Sequence, residues 1–552
     1  MRAIGIFLSG CILAQTAYAA LFTVGDTIQD ACDFATIQEA IDAAAANGPV
    51  FDQILVANTG NYQNQALQVG GQSLVIEGGY DSCQHQAPAP VADIGGNGAD
   101  PVLRIVPEDT TKQYITLSGL RLHGGGTFGI YGTAGGGIYV TNNVTLTIGQ
   151  TSIDNNGAVS GGGIFIDGAA GPPTVELDEG TQIHDNHAQY YGGGIYLEGG
   201  QLEIEADQVN IDYNHADTDG GGIASIGGTV FVGSFGTVAQ RYDATGASVS
   251  HNTAGAAGGG LSLAGASAAL IANELIVDSN TAAVTGGGIV ASAHATVSMA
   301  RDYPGSFVLQ CPNARECSRL SNNRLGAQYG TVGGALALHS GAFANIAQTI
   351  VRDNVALDGS VAYVDSSTLF LEGVLATANQ TFDVPGQTGA SIQTRNVESN
   401  ATVRIAYSTF AGNLEQASPT QNVASIDVIA QQNTHLSIYS SAFYDSYYPI
   451  VTYNAYTDDC VVNGPGGKDG WGSHSRFTAP AESGFSNVAA GDFRLRSESP
   501  LNDYCDGSAF VASFRDLVLT PRCHDDPRKG NSYGTCDVGA YESDQIFGNG
   551  MQ

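Results

Sequence analysis

The sequence predicts an all-β chain: a single right-handed parallel β-helix with three strands per coil, a short N-terminal capping helix and a C-terminal capping region. Three observations predict it. A Gly-Gly-Gly-Ile block or close variant recurs, with its apolar residue at Ile138, Ile164, Ile195, Ile223, Leu261, Ile289, Leu336 and, degenerately, Val361. A second element, apolar-x-x-Asn, ends at Asn156, Asn186, Asn214, Asn252, Asn280, Asn323, Asn354 and Asn413. Between these lie short alternating runs such as Ile138-Tyr139-Val140 and Val144-Thr145-Leu146-Thr147-Ile148, each with one apolar face and no helical period. A repeat of this kind makes one coil, and coils stack at about 4.8 Å.

The chain begins with Arg2, an apolar run, and Ala17-Tyr18-Ala19 before Ala20, the pattern of a secretory signal peptide over 1–19. Leu8-Ser9-Gly10-Cys11 also reads as a lipoprotein box with Cys11 lipidated. That reading leaves a very short apolar region, so cleavage after Ala19 is the expectation. No later stretch approaches about 18 continuous apolar residues, so no transmembrane helix is expected.

Residues 20–100 read as an N-terminal cap and first coils. Thr36-Ile37-Gln38-Glu39 is a capping box, Ile37, Ala40, Ile41 and Ala44 share one helical face, and Gly48 stops the helix. Such a helix covers the open edge of the first coil. Residues 101–450 form the body, with insertions around 233–248 and 302–319. The recurrent Asn belongs at a tight corner, where it tolerates left-handed backbone and its amide bonds the next coil's Asn. The Gly triplets supply bends that a Cβ would obstruct.

Residues 451–552 read as a disulfide-rich C-terminal cap. After the leader, eight cysteines remain, and an even count in an exported chain favours disulfides. Cys32 with Cys83 staples the start, and Cys311 with Cys317 pins one loop. Cys460, Cys505, Cys523 and Cys536 allow three connectivities.

The 53 acidic and 20 basic residues give a net charge of −33. That field repels phosphate, which excludes nucleic acid and anionic lipid as partners. The 74 glycines are nearly twice the usual share of about 7%.

The repeats over roughly 130–415 resemble those of chlamydial polymorphic outer-membrane proteins, with Ile or Val mostly replacing Phe and Gly replacing Ala. The stretch from Thr36 through Ile54-Leu55-Val56 to Gly60-Asn61-Tyr62 resembles the entry to a pectin-lyase-like β-helix. Gly491-Asp492-Phe493-Arg494-Leu495, Ser499-Pro500, Pro521-Arg522 and Asp537-Val538-Gly539-Ala540-Tyr541-Glu542 resemble the choice-of-anchor module of bacterial surface proteins. In this chain the acidic residues after Ser-Pro are displaced to Asp503 and Asp506, around Cys505. Together the resemblances imply an exported protein of the cell surface or its surroundings.

Two constellations are candidate sites. The outward residue of each Gly-Gly-Gly-Ile strand reads Tyr139, Phe165, Tyr196, then Ala224, Ser262, Val290 and Ala337. Three aromatics stacked on consecutive coils would offer a flat ribbon to sugar rings, or merely stabilise the sheet. Asp185, His187, His215, Asp217 and Asp219 fall near one another if the Asn residues stack, and two imidazoles with carboxylates can hold a divalent metal. Calcium at the carboxylates alone is the milder version and the one cofactor suggested.

The catalytic pattern of polygalacturonases is absent. Asp458-Asp459 and Asp525-Asp526 lie outside the repeats, and Arg352-Asp353 is expected on a coil with no aromatic. The leading expectation is therefore a binding or adhesive scaffold for polysaccharide or a host or neighbouring cell surface. The alternatives are a polysaccharide lyase or glycoside hydrolase on the same helix, and an inert structural surface protein.

Overall fold

The computed structural model describes residues 20–542 apart from 49–50, 85–89, 108–110, 127–133, 205–207, 234–246, 274, 300–317, 327–329, 383–388, 419–420, 425, 445–449, 454–455, 464–473, 478–483, 507–515, 518–521, 524 and 526–529. The expected leader with Cys11, the Cys311–Cys317 pair, most of both insertions, and Pro521 and Asp526 lie outside the described residues.

One coil illustrates the architecture. Val144–Gly149 lies in sheet I, Ser152–Asp154 in sheet II, Gly157–Ala158 in sheet III and Ile164–Asp167 in sheet IV. The chain then returns to sheet I at Thr174–Leu177, paired parallel and in register with the strand it left. Among the described residues sheets I to IV hold 15, 15, 10 and 13 strands. The fold is a parallel β-helix, as the repeats predict. It departs from the expected three strands per coil because the residues directly after each ladder Asn, usually two, form a short strand of their own.

Inward positions carry apolar columns. In sheet I, Leu146, Val175, Leu202, Val230, Leu270 and Val297 stack one above another, all fully buried. Burying each such side chain is worth about 1.5–3 kcal/mol, which makes this column the main local support of the sheet.

The corner between sheets II and III carries the asparagines. Each Asn accepts at Oδ1 from the backbone N–H and the side-chain Nδ2 of the Asn one coil earlier, and its own Nδ2 donates to a strand carbonyl. The ladder runs from Asn156 to Asn413 and includes Asn379, which the repeat pattern did not reveal. The left-handed residue is not the Asn but the one before it: Asn155, Asp185, Tyr213, His251, Ser279, Asn322, Asp353, Ala378 and Gly412. The turn thus aims the Asn side chain inward, where it is buried, while the strained residue faces out.

At the N-terminal end the helix spans Ile37–Ala46 with the capping box formed, and Ile37, Ala40, Ile41 and Ala44 are buried. The Gln38 amide also pairs with the first strand of sheet IV, accepting from Gln68 N–H and donating to its carbonyl. The cap therefore satisfies an open strand edge as well as covering it. Disulfides join Cys32 to Cys83, Cys460 to Cys505 and Cys523 to Cys536, which resolves the C-terminal connectivity.

The C-terminal segment lies along the corner between sheets I and II. Gln348 donates to Asp516 O, Ala540 N–H to Thr409 Oγ1, and Gly539 N–H to Ser440 O. Arg522 sits over the ring of Tyr407 and donates to the Gly539 carbonyl. No helix among the described residues is long and apolar enough to cross a membrane.

Candidate functional site

The outward row of sheet IV has the register the sequence implies: Tyr139 pairs with Phe165, Phe165 with Tyr196, and Tyr196 with Ala224. The rings touch, with centroids 5.5 Å apart for Tyr139–Phe165 and 5.1 Å for Phe165–Tyr196. They do not form an open ribbon. Phe165 and Tyr196 are only 7% and 6% exposed, and Tyr191 stacks on Tyr196 at 5.7 Å.

The cause is the segment before each Gly triplet. Ala134, Ser160, Tyr191, Asp219, Ala257, Thr285, Val332 and Asp358 form a column of their own, joined by isolated parallel bridges and, between Ser160 and Tyr191, by the Gly161 N–H donating to the Tyr191 carbonyl. Each is followed by a left-handed glycine, with φ between 62° and 80° from Gly135 to Gly359. A Cβ on Gly192 would lie 2.1 Å from the Ile195 carbonyl oxygen, so only glycine makes this turn. The turn folds the column back over the outward row of sheet IV like a strap, five residues before the side chain it covers. Removing the Tyr196 ring would therefore open a cavity rather than leave stability untouched.

Tyr139 sits at the other end of this packed cluster. Its hydroxyl donates to Asp167 Oδ2 at 2.5 Å and Arg104 lies over its ring. Burial and the Asp167 charge push the hydroxyl up to about 12, so it remains a donor.

Further along the same row the strap continues, with Val332 packed against the Ala337–Tyr363 cluster, and Tyr363 is as buried as Phe165 and Tyr196. The row continues from Ala337 to Tyr363 and Gln393, beyond the last aromatic position recognised from the repeats. A cleft of about 770 Å³ opens there, with Tyr363 and Gln393 on its floor and Thr285, Val332 and Asp358 on the strap side. His339 lies beside Thr285, and Asp365, Arg395, Asn396, Gln431, Gln432 and Asn433 complete the lining. Arg395 stands beside Asp365 in register, and its charge works against the burial that raises the Tyr363 hydroxyl. Asp365 Oδ1 accepts from Ser366 Oγ and Val397 N–H, which fixes the carboxylate. His339 Nε2 lies 3.1 Å from Thr285 Oγ1, and burial lowers its pKa, so the ring is neutral near pH 7.

Asp358 is the outlying group of this cleft. Burial raises its carboxyl to about 6, and its Oδ1 is buried without a hydrogen-bond partner. It is thus a carboxyl that holds a proton into mildly acidic solution, the property required of a general acid. The Arg352–Asp353 pair shares its coil with Tyr363, contrary to the expectation of a coil without an aromatic, but lies on another face: Asp353 is a left-handed corner residue between sheets II and III, 3.8 Å from Arg352 Nε.

The second constellation assembles in part. His187 and His215 pair in register on sheet III, and their Nε2 atoms lie 2.8 and 3.1 Å from the same Asp217 Oδ1. Asp185 points away to His184 Nδ1, at 2.8 Å, because its left-handed turn faces the sheet II side. Asp219 belongs to the strap column and accepts from Ala257 N–H, with burial raising its carboxyl. Asp185 and Asp219 are therefore outside the cluster. Asp30, Cys32 and Cys83 also lie together, but both cysteines are in a disulfide. Comparison with family models, curated proteins and solved structures gives no match to this chain.

Proposed function

We propose that the chain is an exported β-helix protein of the cell surface or its surroundings that binds polysaccharide in the cleft above Tyr363. The single observation that carries this reading is the lining. One guanidinium, two carboxyls, an imidazole and a rim of side-chain amides line a groove running along stacked coils, over the largely buried ring of Tyr363. Amides, carboxylates and Arg are the groups that hydrogen-bond sugar hydroxyls, and an Arg beside Tyr also takes a sugar carboxylate. The three disulfides support export. So do the leader pattern and the likeness of the repeats to those of surface proteins. The aromatic row from Tyr139 to Tyr196 is assigned to packing in this reading.

A binding assay against acidic and neutral polysaccharides tests it. Arg395→Ala is expected to weaken binding about tenfold or more with thermal stability nearly unchanged, since Arg395 is exposed. Equal binding by wild type and variant would remove the cleft from consideration.

One observation favours a second reading, polysaccharide cleavage. Asp358 offers a proton at mildly acidic pH, and Asp365 is a second carboxylate of the same cleft. New chain ends from any polysaccharide, lost in Asp358→Asn, would establish the lyase or hydrolase class. Intact polysaccharide with retained binding leaves the scaffold reading standing.

A further inference from the structure

We propose that His187, His215 and Asp217 form a binding site for a first-row divalent transition metal such as Zn²⁺, on the sheet III face and independent of the cleft. The geometry carries it. Both imidazole Nε2 atoms converge on one carboxylate oxygen, at 2.8 and 3.1 Å. Two ligand atoms on a tetrahedral Zn²⁺ with bonds of about 2.0–2.1 Å stand about 3.3 Å apart. The two nitrogen–oxygen separations are close to that value, all three atoms lie within 4.8 Å of one another, and a rotation of the half-exposed Asp217 side chain makes room for the ion between them. The donor set of two nitrogens and one oxygen suits zinc and its neighbours rather than calcium, which prefers six or more oxygens.

The backbone holds the ligands in place before any ion arrives. His187 N–H donates to Asn156 O, His215 N–H to Asn186 O, and Asp217 N–H to Ala188 O, each at 2.9 Å. The two histidines follow directly on ladder asparagines, so the stacking that fixes Asn186 under Asn214 also fixes His187 under His215. A site on such rigid elements loses little entropy on binding. The side chains are 20%, 41% and 50% exposed, which leaves one side of the cluster open to water or to a ligand group as a fourth donor. The net charge of −33 attracts a cation toward it.

Untagged protein titrated with Zn²⁺ by calorimetry at neutral pH is expected to bind one equivalent with a Kd of about 10 μM or tighter. Co²⁺ at the same site is expected to give a visible absorption band. His187→Ala and His215→Ala should each weaken binding at least about tenfold, and lowering the pH into the imidazole range should weaken it as protons compete. Both side chains are partly exposed, so the metal-free variants should melt close to wild type, which separates loss of ligand from loss of fold. Two results would overturn the proposal: no saturable Zn²⁺ binding, or undiminished one-equivalent binding by the H187A/H215A double variant. Calcium binding that depends on Asp217 but survives the double variant would overturn it as well.

Discussion

Asp358 shows how one residue's environment sets both its chemistry and its cost. Its carboxyl is raised from 3.8 to about 6 by burial. The contribution to stability is therefore whole below pH 3.8 and is lost as pH rises through about 6. The loss is at most about 3 kcal/mol for a shift of this size. Replacing Asp358 by Asn keeps the shape and removes the titration. The variant is expected to melt higher than wild type at pH 7 and to match it at pH 4. Equal melting temperatures at both pH values would show that Asp358 is ionised freely in the folded protein. Tyr363 and Arg395 went unrecognised for a related reason. The Gly triplet before Tyr363 has degenerated to Gly359-Ser360-Val361, so Ala362 and not the expected Val361 stands in register with Leu336, and Arg395 comes near Tyr363 only through the register of the next coil.

The element that organises the molecule is the asparagine ladder. Asn252 accepts from Asn214 N–H and Nδ2 and donates to Ile211 O and Asn280 Oδ1, all inside the protein. Asn252→Ala would strand two donors and a carbonyl that are buried, each costing about 1–3 kcal/mol. A loss of about 3 kcal/mol or more in denaturant unfolding is expected, and a loss below about 1 kcal/mol would reduce the ladder to a by-product of the turn. The ladder was legible in the sequence because a side-chain amide is the one group that can repeat this bond, so its identity is fixed. The residue before it was not. Its backbone is strained at every coil, yet it is Asn, Asp, Tyr, His, Ser, Ala or Gly, because its side chain faces solvent. The strap was half legible: the triplet glycines announce a sharp turn, but nothing in their pattern says that the turn covers the aromatic row.

At the scale of the whole molecule the repeats and the capping box foretold the helix and its covered first coil. The candidate cleft was hidden, because Thr285, His339, Asp358 and Arg395 come from successive coils and share no motif. The His187–His215–Asp217 cluster proposed as a metal site was visible in outline, since His187 and His215 each follow a ladder Asn. Its exact membership required knowing that Asp185 turns outward and that Asp219 belongs to the strap.

The C-terminal segment has a mechanical consequence. In a stacked helix each coil holds mainly its neighbours, so a pull on the free end would peel coils off one by one. Here the returning chain is bonded at Gln348, Thr409 and Ser440, positions on different coils. Tension applied near Tyr541 meets the Ala540–Thr409 and Gly539–Ser440 bonds before it reaches the last coils, and the Asp516–Gln348 bond lies behind them. The returning segment thus acts as a splint along the terminal coils, and it must be detached before the coils can peel.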